Sequence, residues 1–188
     1  MALRDLCPAL ANKSYFNYGG QGPLPTPSLE AITVSWGQIQ ELGPFTGDVW
    51  PLVERTSSRL RQRLGHWFGV GSHRVAFSEN VTSGCVLPLW GLPWRAGDEL
   101  LISDCEHPGV VAACRELARR HGLRIASVAV ADLRGDAASA AAAIQARLEA
   151  ALTPHTRLVV LSHLLWNTGQ LMPIAAVAQQ LAQHPARP

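Results

Sequence analysis

The stretch Val75–Gly91, VAFSENVTSGCVLPLWG, decides how the rest of the chain is read. Val75-Ala76-Phe77 reads as a short buried strand and Ser78 to Gly84 as a small-residue turn carrying Asn80, Thr82 and Ser83. Cys85 to Trp90 then reads as the start of a helix. Strand, polar turn and helix N-terminus suit a phosphate, because the open N–H groups of a first helical turn and the helix dipole both favour an anion. Gly84 near the cap and Pro88 early in the helix fit that start. Neither G-x-G-x-x-G nor G-x-x-x-x-G-K-[ST] is present, so no dinucleotide fold or P-loop follows. Taken alone, the stretch is better explained as an ordinary well-capped βα turn, and the phosphate reading depends on its surroundings.

Downstream, Glu99–Ser103 (ELLIS), Arg124–Val130 (RIASVAV) and Arg157–Ser162 (RLVVLS) read as strands. Between them, Val110, Val111, Cys114, Leu117 and Ala118 mark a helix stopped by Gly122. Asp136 caps an alanine-rich helix that buries Ile144, Leu148 and Leu152. Ile174, Val177 and Leu181 mark a last helix running to His184. Strands alternating with helices predict an α/β fold with a mostly parallel sheet, whose ligands gather at the carboxyl ends of the strands. Those ends are Ser78–Ser83, Asp104–Pro108 and His163–Gly169, three polar loops on one edge. Their convergence strengthens the phosphate reading.

Upstream, Leu29, Ile32, Trp36 and Ile39 recur at helical steps, ended by Gly43-Pro44. Asp48 caps a second helix with the stripe Val49, Leu52, Leu60, Leu64 and Trp67/Phe68, opposite a solvated face of Arg55, Arg59, Arg61 and Arg63. Tyr15–Tyr18 is a short strand or extended arm. The glycines and prolines of Gly19–Pro25 make a loop that lets backbone approach a ligand, or simply a flexible turn.

With 188 residues, 47% hydrophobic and 16% charged, the chain falls in the globular class and is long enough for a core. A net charge of +2 argues for neither nucleic acid nor an anionic membrane. MALRDLCPALANKSYF has no apolar signal region, and the longest uncharged apolar run, Gly84–Trp94, holds two prolines and is too short to span a bilayer. Cys7, Cys85, Cys105 and Cys114 show no C-x-x-C pairing, which predicts free thiols in a reducing, cytoplasmic setting. Cys105-Glu106-His107 lacks a second ligand pair at zinc spacing, so no metal is expected. Fifteen arginines accompany a single lysine, Lys13.

Three residues on the polar loops could carry chemistry. His107, before the helix-starting Pro108, could stack on a planar ring, act as an acid or base, or merely face solvent at a helix start. Asn167 offers an amide to a phenolate-type oxygen, or serves a plain turn with Thr168-Gly169. His163 reads as a satisfied structural histidine.

Taken in order, YFNYGGQGPLP, FSENVTSGCVLPLWG, SDCEHPG and SHLLWNTGQLMPI resemble the aminotransferase class V group of fold-type I pyridoxal-phosphate enzymes, from about Tyr15 onward. That group includes cysteine desulfurases, selenocysteine lyases and cyst(e)ine C–S lyases, and the glycine-rich and LWNTGQ loops look closest to the C–S lyases. The resemblance implies pyridoxal 5′-phosphate as cofactor, an amino-acid substrate of the cysteine or cystine kind and a homodimer. It implies that Val81 and Thr82 hold the phosphate, His107 stacks on the pyridine ring and Asn167 meets the 3′-oxygen. Counted from His163, the family's polar residue falls at Trp166, one place before Asn167. Asn17, Gly20 and Gln21 fall on the substrate side. Residues 1–47 become the arm, substrate-side loop and first helix, and residues 48–188 the N-terminal half of the cofactor-binding large domain.

The same resemblance calls for a lysine that holds the cofactor covalently and an aspartate on the pyridine nitrogen. Lys13 matches no such motif, and Asp132 and Asp136 flank a helix start instead of ending a strand. In the family's seven-stranded sheet, Val75–Phe77 would be flanked by strands this sequence does not contain. Buried backbone groups left unpaired cost about 1–3 kcal/mol each, against a domain stability of about 5–15 kcal/mol. The expectation is an N-terminal fragment of such an enzyme, inactive alone and prone to incomplete folding. The alternative is a non-catalytic α/β module that binds a phosphorylated ligand or a partner protein.

Overall fold

In the computed structural model, which describes residues 3–43 and 46–184, the sheet is organised by β1, Glu99–Ser103, all five of whose residues are buried. Alternation along this strand sends its side chains to opposite faces. Leu101 joins a core with Val128, Ile144, Leu148, Leu165 and Val177, while Leu100 and Ile102 join another with Leu89, Val110, Cys114 and Leu117. A strand buried on both faces needs a helical layer on each, and a parallel sheet provides it through its crossovers.

The strand order is β2-β1-β3, with β2 at Arg124–Val128 and β3 at Thr156–Val160, both parallel to β1. The register to β2 runs evenly from Glu99↔Arg124 to Ser103↔Val128, whereas the pairing with β3 shifts between Glu99 and Leu100. Helix α3 is Val81–Gly91, α4 Pro108–His121, α5 Ala137–Ala151 and α6 Ile174–Ala182. Gly122, at φ 66°, ends α4 in the left-handed region that glycine enters without strain. Asp136 caps α5 by accepting the Ser139 N–H at 2.7 Å.

The chain divides into two compact units, Met1–Phe77 and Ser78–Pro188. The first holds α1, Thr26–Leu42, and α2, Val49–Phe68. Ile32, Trp36 and the rest of α1 leave its apolar face open, with Trp36 68% exposed, and none of the helix is buried. At the end of α2 the chain turns back through Gly69, and Val70 N–H bonds the Gly65 carbonyl at 2.8 Å. Any Cβ on Gly65 would sit 2.7 Å from the Val70 oxygen, so this reversal requires glycine.

Several expected elements differ. Val75–Phe77 forms no strand and Phe77 is 42% exposed; a three-residue run gains nothing from extension without a partner strand beside it. Helix α3 starts at Val81, inside the stretch expected to be a turn, because Asn80 caps it there. Pro88 therefore lies in the helix interior, where its missing N–H leaves the Gly84 carbonyl without an intrahelical partner. Asp48 precedes α2 but makes no side-chain cap bond. Strand β2 stops two residues early, where Asp104 takes over the backbone N–H groups of Val130 and Ala131. Tyr15–Tyr18 is not a strand, and Pro44 lies outside the described residues.

Candidate functional site

Helix α3 opens on Asn80, whose extended backbone (φ −162°) leaves its side-chain oxygen free to accept the Ser83 N–H at 3.0 Å. Ser78 Oγ donates to the Asn80 carbonyl at 3.0 Å, and Gly84 N–H bonds that same carbonyl at 3.0 Å. A Cβ on Gly84 would stand 3.0 Å from Ser78 Oγ, so the turn closes tightly only with glycine there. Intrahelical bonding leaves the first-turn N–H groups of Val81 and Thr82 open, and both residues are exposed. Glu79, just before the cap, is held below the usual carboxylate range by its own backbone N–H and the Ser83 side chain.

The loop after β1 reaches the same place. His107 is the N-cap of α4, and its Nδ1 accepts the Gly109 N–H at 3.2 Å. That bond makes Nε2 the nitrogen that carries the proton in the neutral ring. A Cβ on Gly109 would lie 3.4 Å from His107 Nδ1 and 3.5 Å from Thr82 Oγ1. Gly109 thus stands between the hydroxyl on α3 and the imidazole on α4, within contact distance of both. The expected neighbourhood of Thr82 and His107 is therefore present.

The loop after β3 completes the group. Trp166 meets the His107 ring edge-on, with centroids 5.9 Å apart, and Asn167 Nδ2 donates to Cys105 Sγ at 3.5 Å. Trp166 and Asn167 thus both face the loop that carries His107. Burial pushes the Cys105 thiol up, the Asn167 amide opposes that, and the carboxylates of Asp104 and Glu106 add to the rise. His163, expected to be a satisfied structural residue, is instead exposed: it lies in the loop after β3, in which Leu165 and not His163 turns into the core.

Glu106 was not foreseen, and it holds the two loops together. It is 8% exposed and accepts from Ser103 Oγ and Ser162 N–H at 2.7 Å each and from Ser162 Oγ at 2.8 Å. Asp104 does the same for the segment after β2, accepting from Val130 and Ala131 N–H at 2.7 and 3.1 Å. A carboxylate between a buried strand and a helix start, with a serine ending the next strand, was the signal available in the sequence.

Asn17, Gly20 and Gln21 lie in one turn of the first unit. Gly20 and Gln21 N–H both bond the Asn17 carbonyl at 3.1 Å, and Tyr15 OH donates to the Gln21 carbonyl at 2.6 Å. A Cβ on Gly20 would come within 2.6 Å of Asn17 Nδ2, so the Asn17 amide covers a glycine by necessity. Lys13 Nζ, in the same unit, donates to the Ala9 carbonyl and Asn12 Oδ1 at 3.4 and 3.3 Å. All four cysteines are free. Among the described residues no three metal-ligating side chains cluster, and no helix is long and apolar enough to cross a membrane.

Several known proteins resemble this chain, among them the following. Isopenicillin N epimerase of Streptomyces clavuligerus is 31% identical over 167 residues, covering 87% of this chain and 40% of the epimerase. The crystal structure of a lysine-to-alanine mutant of C-DES, with glycine covalently linked to its PLP cofactor, superposes with a TM-score of 0.87 at 44% identity, over 100% of this chain and 47% of that one. The cystine C–S lyase C-DES in complex with its reaction product cysteine persulfide gives 0.84 at 45% identity, over 95% and 46%. The apo cysteine desulfurase of Thermococcus onnurineus NA1, 16% identical with a TM-score of 0.71 over 98% of this chain and 45% of that one, shares the fold. The chain thus spans 40% of the epimerase and about half of the matched structures. These likenesses bear out the expected α/β, fold-type I architecture. The Aminotransferase class-V profile matches residues 53–187, and the chain belongs to that family.

Proposed function

We propose that the whole protein is a pyridoxal-phosphate-dependent, homodimeric, cytoplasmic enzyme that cleaves the C–S bond of cystine, cysteine or a close relative. In this reading residues 1–47 form the arm and substrate side, and residues 48–188 the N-terminal half of the cofactor domain. The observation that carries it is the meeting of Thr82 and His107 around Gly109, beside the first turn of α3 where the N–H groups of Val81 and Thr82 remain open. An anionic group with a flat ring attached fits such a place: donors converge on one end and an imidazole stands at the other. A carbon–sulfur substrate is favoured over an epimerase substrate because identity to C-DES is 44–45%, against 31% to the epimerase.

The residues divide the work by their chemistry. The N–H groups of Val81 and Thr82 and the Thr82 hydroxyl would hold the phosphate, with the N-terminal dipole of α3 assisting. His107, fixed through Nδ1, would lie on the pyridine ring, and Trp166 limits its rotation by the edge contact. Asn167 would meet the 3′-oxygen, its amide oriented by Cys105. Asn17, Gly20 and Gln21 would contact the substrate. Pyridoxal phosphate, when bound, supplies an electron sink for bonds broken next to the substrate amine. Lys13 matches no covalent-anchor motif, so this chain alone should be inactive and should retain no cofactor after borohydride reduction.

The test compares binding of pyridoxal 5′-phosphate with that of pyridoxal, followed by absorbance and intrinsic fluorescence. The phosphorylated form should bind at least about tenfold tighter, as expected of one charge-assisted contact. Thr82→Ala should abolish that difference, and borohydride treatment should leave the protein mass unchanged. Equal binding of the two ligands, or indifference to Thr82→Ala, refutes the assignment. Phosphate binding without any ring preference would favour the non-catalytic module.

A further inference from the structure

At the end of the strands opposite His107, basic residues stand at or beside the start of each strand. Arg95 stands in the turn before β1, Arg124 opens β2, and His155 and Arg157 flank the first residue of β3. With Gly97 and Asp98 they line a cleft of about 460 Å³, within the range of small-molecule sites. Backbone bonds draw these segments together: Gly97 N–H to the Gly122 carbonyl at 2.9 Å, Arg124 N–H to Asp98 at 2.8 Å and Glu99 N–H to His155 at 2.8 Å. Gly97, at φ 89°, leaves room for a guanidinium, since a Cβ there would stand 4.0 Å from Arg124 Nη2.

Two carboxylates lie near, and both are engaged. Asp98 Oδ2 accepts the Arg95 backbone N–H at 2.8 Å. Glu99 is 7% exposed, and its Oε1 accepts from the Thr153 and Thr156 hydroxyls at 3.0 and 2.6 Å. Among the described residues, the side chains of Arg95 and Arg124 form no ion pair or hydrogen bond. The unpaired guanidinium groups of Arg95 and Arg124 share this concave surface with Arg157, with one half-buried carboxylate on its wall and a second beneath it. Low-dielectric walls focus such a potential, and planar guanidinium forks match oxyanions bidentately.

We infer that this cleft binds a small molecule bearing two neighbouring oxyanion groups, a diphosphate or a short dicarboxylate. The site stands about 16 Å from the cofactor loops by the rise of a five-residue strand, and it does not depend on the reading of Thr82 and His107. Calorimetry with pyrophosphate, and separately with succinate, tests it on the 188-residue chain. Saturable one-to-one binding of pyrophosphate should weaken at least about tenfold in the double variant Arg95→Gln/Arg124→Gln, a loss of about 1.4 kcal/mol. Thr82→Ala should leave that binding intact. Arginine-dependent binding of succinate as well extends the ligand class to dicarboxylates; binding of pyrophosphate alone restricts it to diphosphates. Amide shifts on unaltered protein give a readout free of any folding defect: pyrophosphate should move Gly97, Arg124 and Arg157 whether or not Val81–Ser83 also move, and shifts confined to Val81–Ser83 overturn the inference. Absence of saturable binding by either probe, or binding lost in Thr82→Ala and kept in the arginine double variant, overturns the inference.

Discussion

Replacing Glu106 by alanine should destabilise the second unit more than any other single polar change in it. The carboxylate accepts three hydrogen bonds at 2.7–2.8 Å while 8% exposed, and it joins the residue ending β1 to the residues following β3. Two of its donors are serine hydroxyls, which can rotate toward other acceptors. The third, the Ser162 N–H, cannot. An N–H stranded in that position costs about 1–3 kcal/mol, and losing the charge-assisted hydroxyl contacts adds about 1–2 kcal/mol. The expected total is about 2–5 kcal/mol out of a typical stability of about 5–15 kcal/mol. Glu106→Gln keeps one oxygen for Ser103 and the Ser162 N–H, and its new amide can donate to Ser162 Oγ. It should cost only about 1 kcal/mol. Urea unfolding followed by circular dichroism gives both values. If Glu106→Ala lies within about 0.5 kcal/mol of the parent, or Glu106→Gln is the worse of the two, the carboxylate does not hold these loops.

Gly109→Ala should raise the melting temperature slightly, since glycine in a helix costs up to about 1 kcal/mol relative to alanine. It should also weaken pyridoxal-phosphate binding, because the new methyl fills the gap 3.4–3.5 Å from His107 Nδ1 and Thr82 Oγ1. Thiol labelling under native conditions should modify Cys7 and Cys85 first and leave Cys105 and Cys114 slow, because burial pushes both of the latter thiols up and so reduces their thiolate at neutral pH. Mass spectrometry after timed alkylation reads this directly. Asp132 is paired with Arg147 and held at about 2, below its ordinary 3.8. Its contribution is therefore present above the ordinary value and lost as pH falls through about 2. A carboxyl NMR titration should show that midpoint, and Arg147→Gln should return it toward the ordinary value.

Much of the second unit could be read from the sequence, for a physical reason. Apolar runs such as ELLIS can satisfy both backbone and side chains only inside a parallel sheet, and Gly122 and Asp136 stop and start helices through local geometry. Val75–Phe77 has the same composition, yet it forms no strand. Composition reports that a segment can be a strand, whereas pairing depends on partners remote in sequence. The α3 start at Val81 was displaced by a single side chain, Asn80, whose capping bond overrode the apolar pattern. His107 was legible because it follows the end of β1, and Thr82 because a small polar stretch leads into an apolar helix there, although no strand precedes it. Asn167 was less so, since loop geometry decides whether it or Trp166 meets His107, and the fold gives Trp166 the ring and Asn167 the thiol.

The two buried glutamates explain why the sheet presents different chemistry at its two ends. Strand β1 is central and wholly buried, so its ends can be fixed only by side chains long enough to reach a neighbouring segment. Glu99 does this at the start through Thr153 and Thr156, and Glu106 does it just past the finish through Ser103 and Ser162. Each buried carboxylate is tolerated because hydroxyl and amide donors surround it. At the start, satisfying Glu99 with hydroxyls leaves Arg95 and Arg124 without a counter-charge, which makes that end attractive to anions. At the finish, Glu106 consumes the donors of Ser103 and Ser162, so an anion there must be held by α3, whose first turn remains open. Neutralising these charges would show it: Glu99→Gln should tighten anion binding at the strand starts, and Glu106→Gln should leave that binding unchanged.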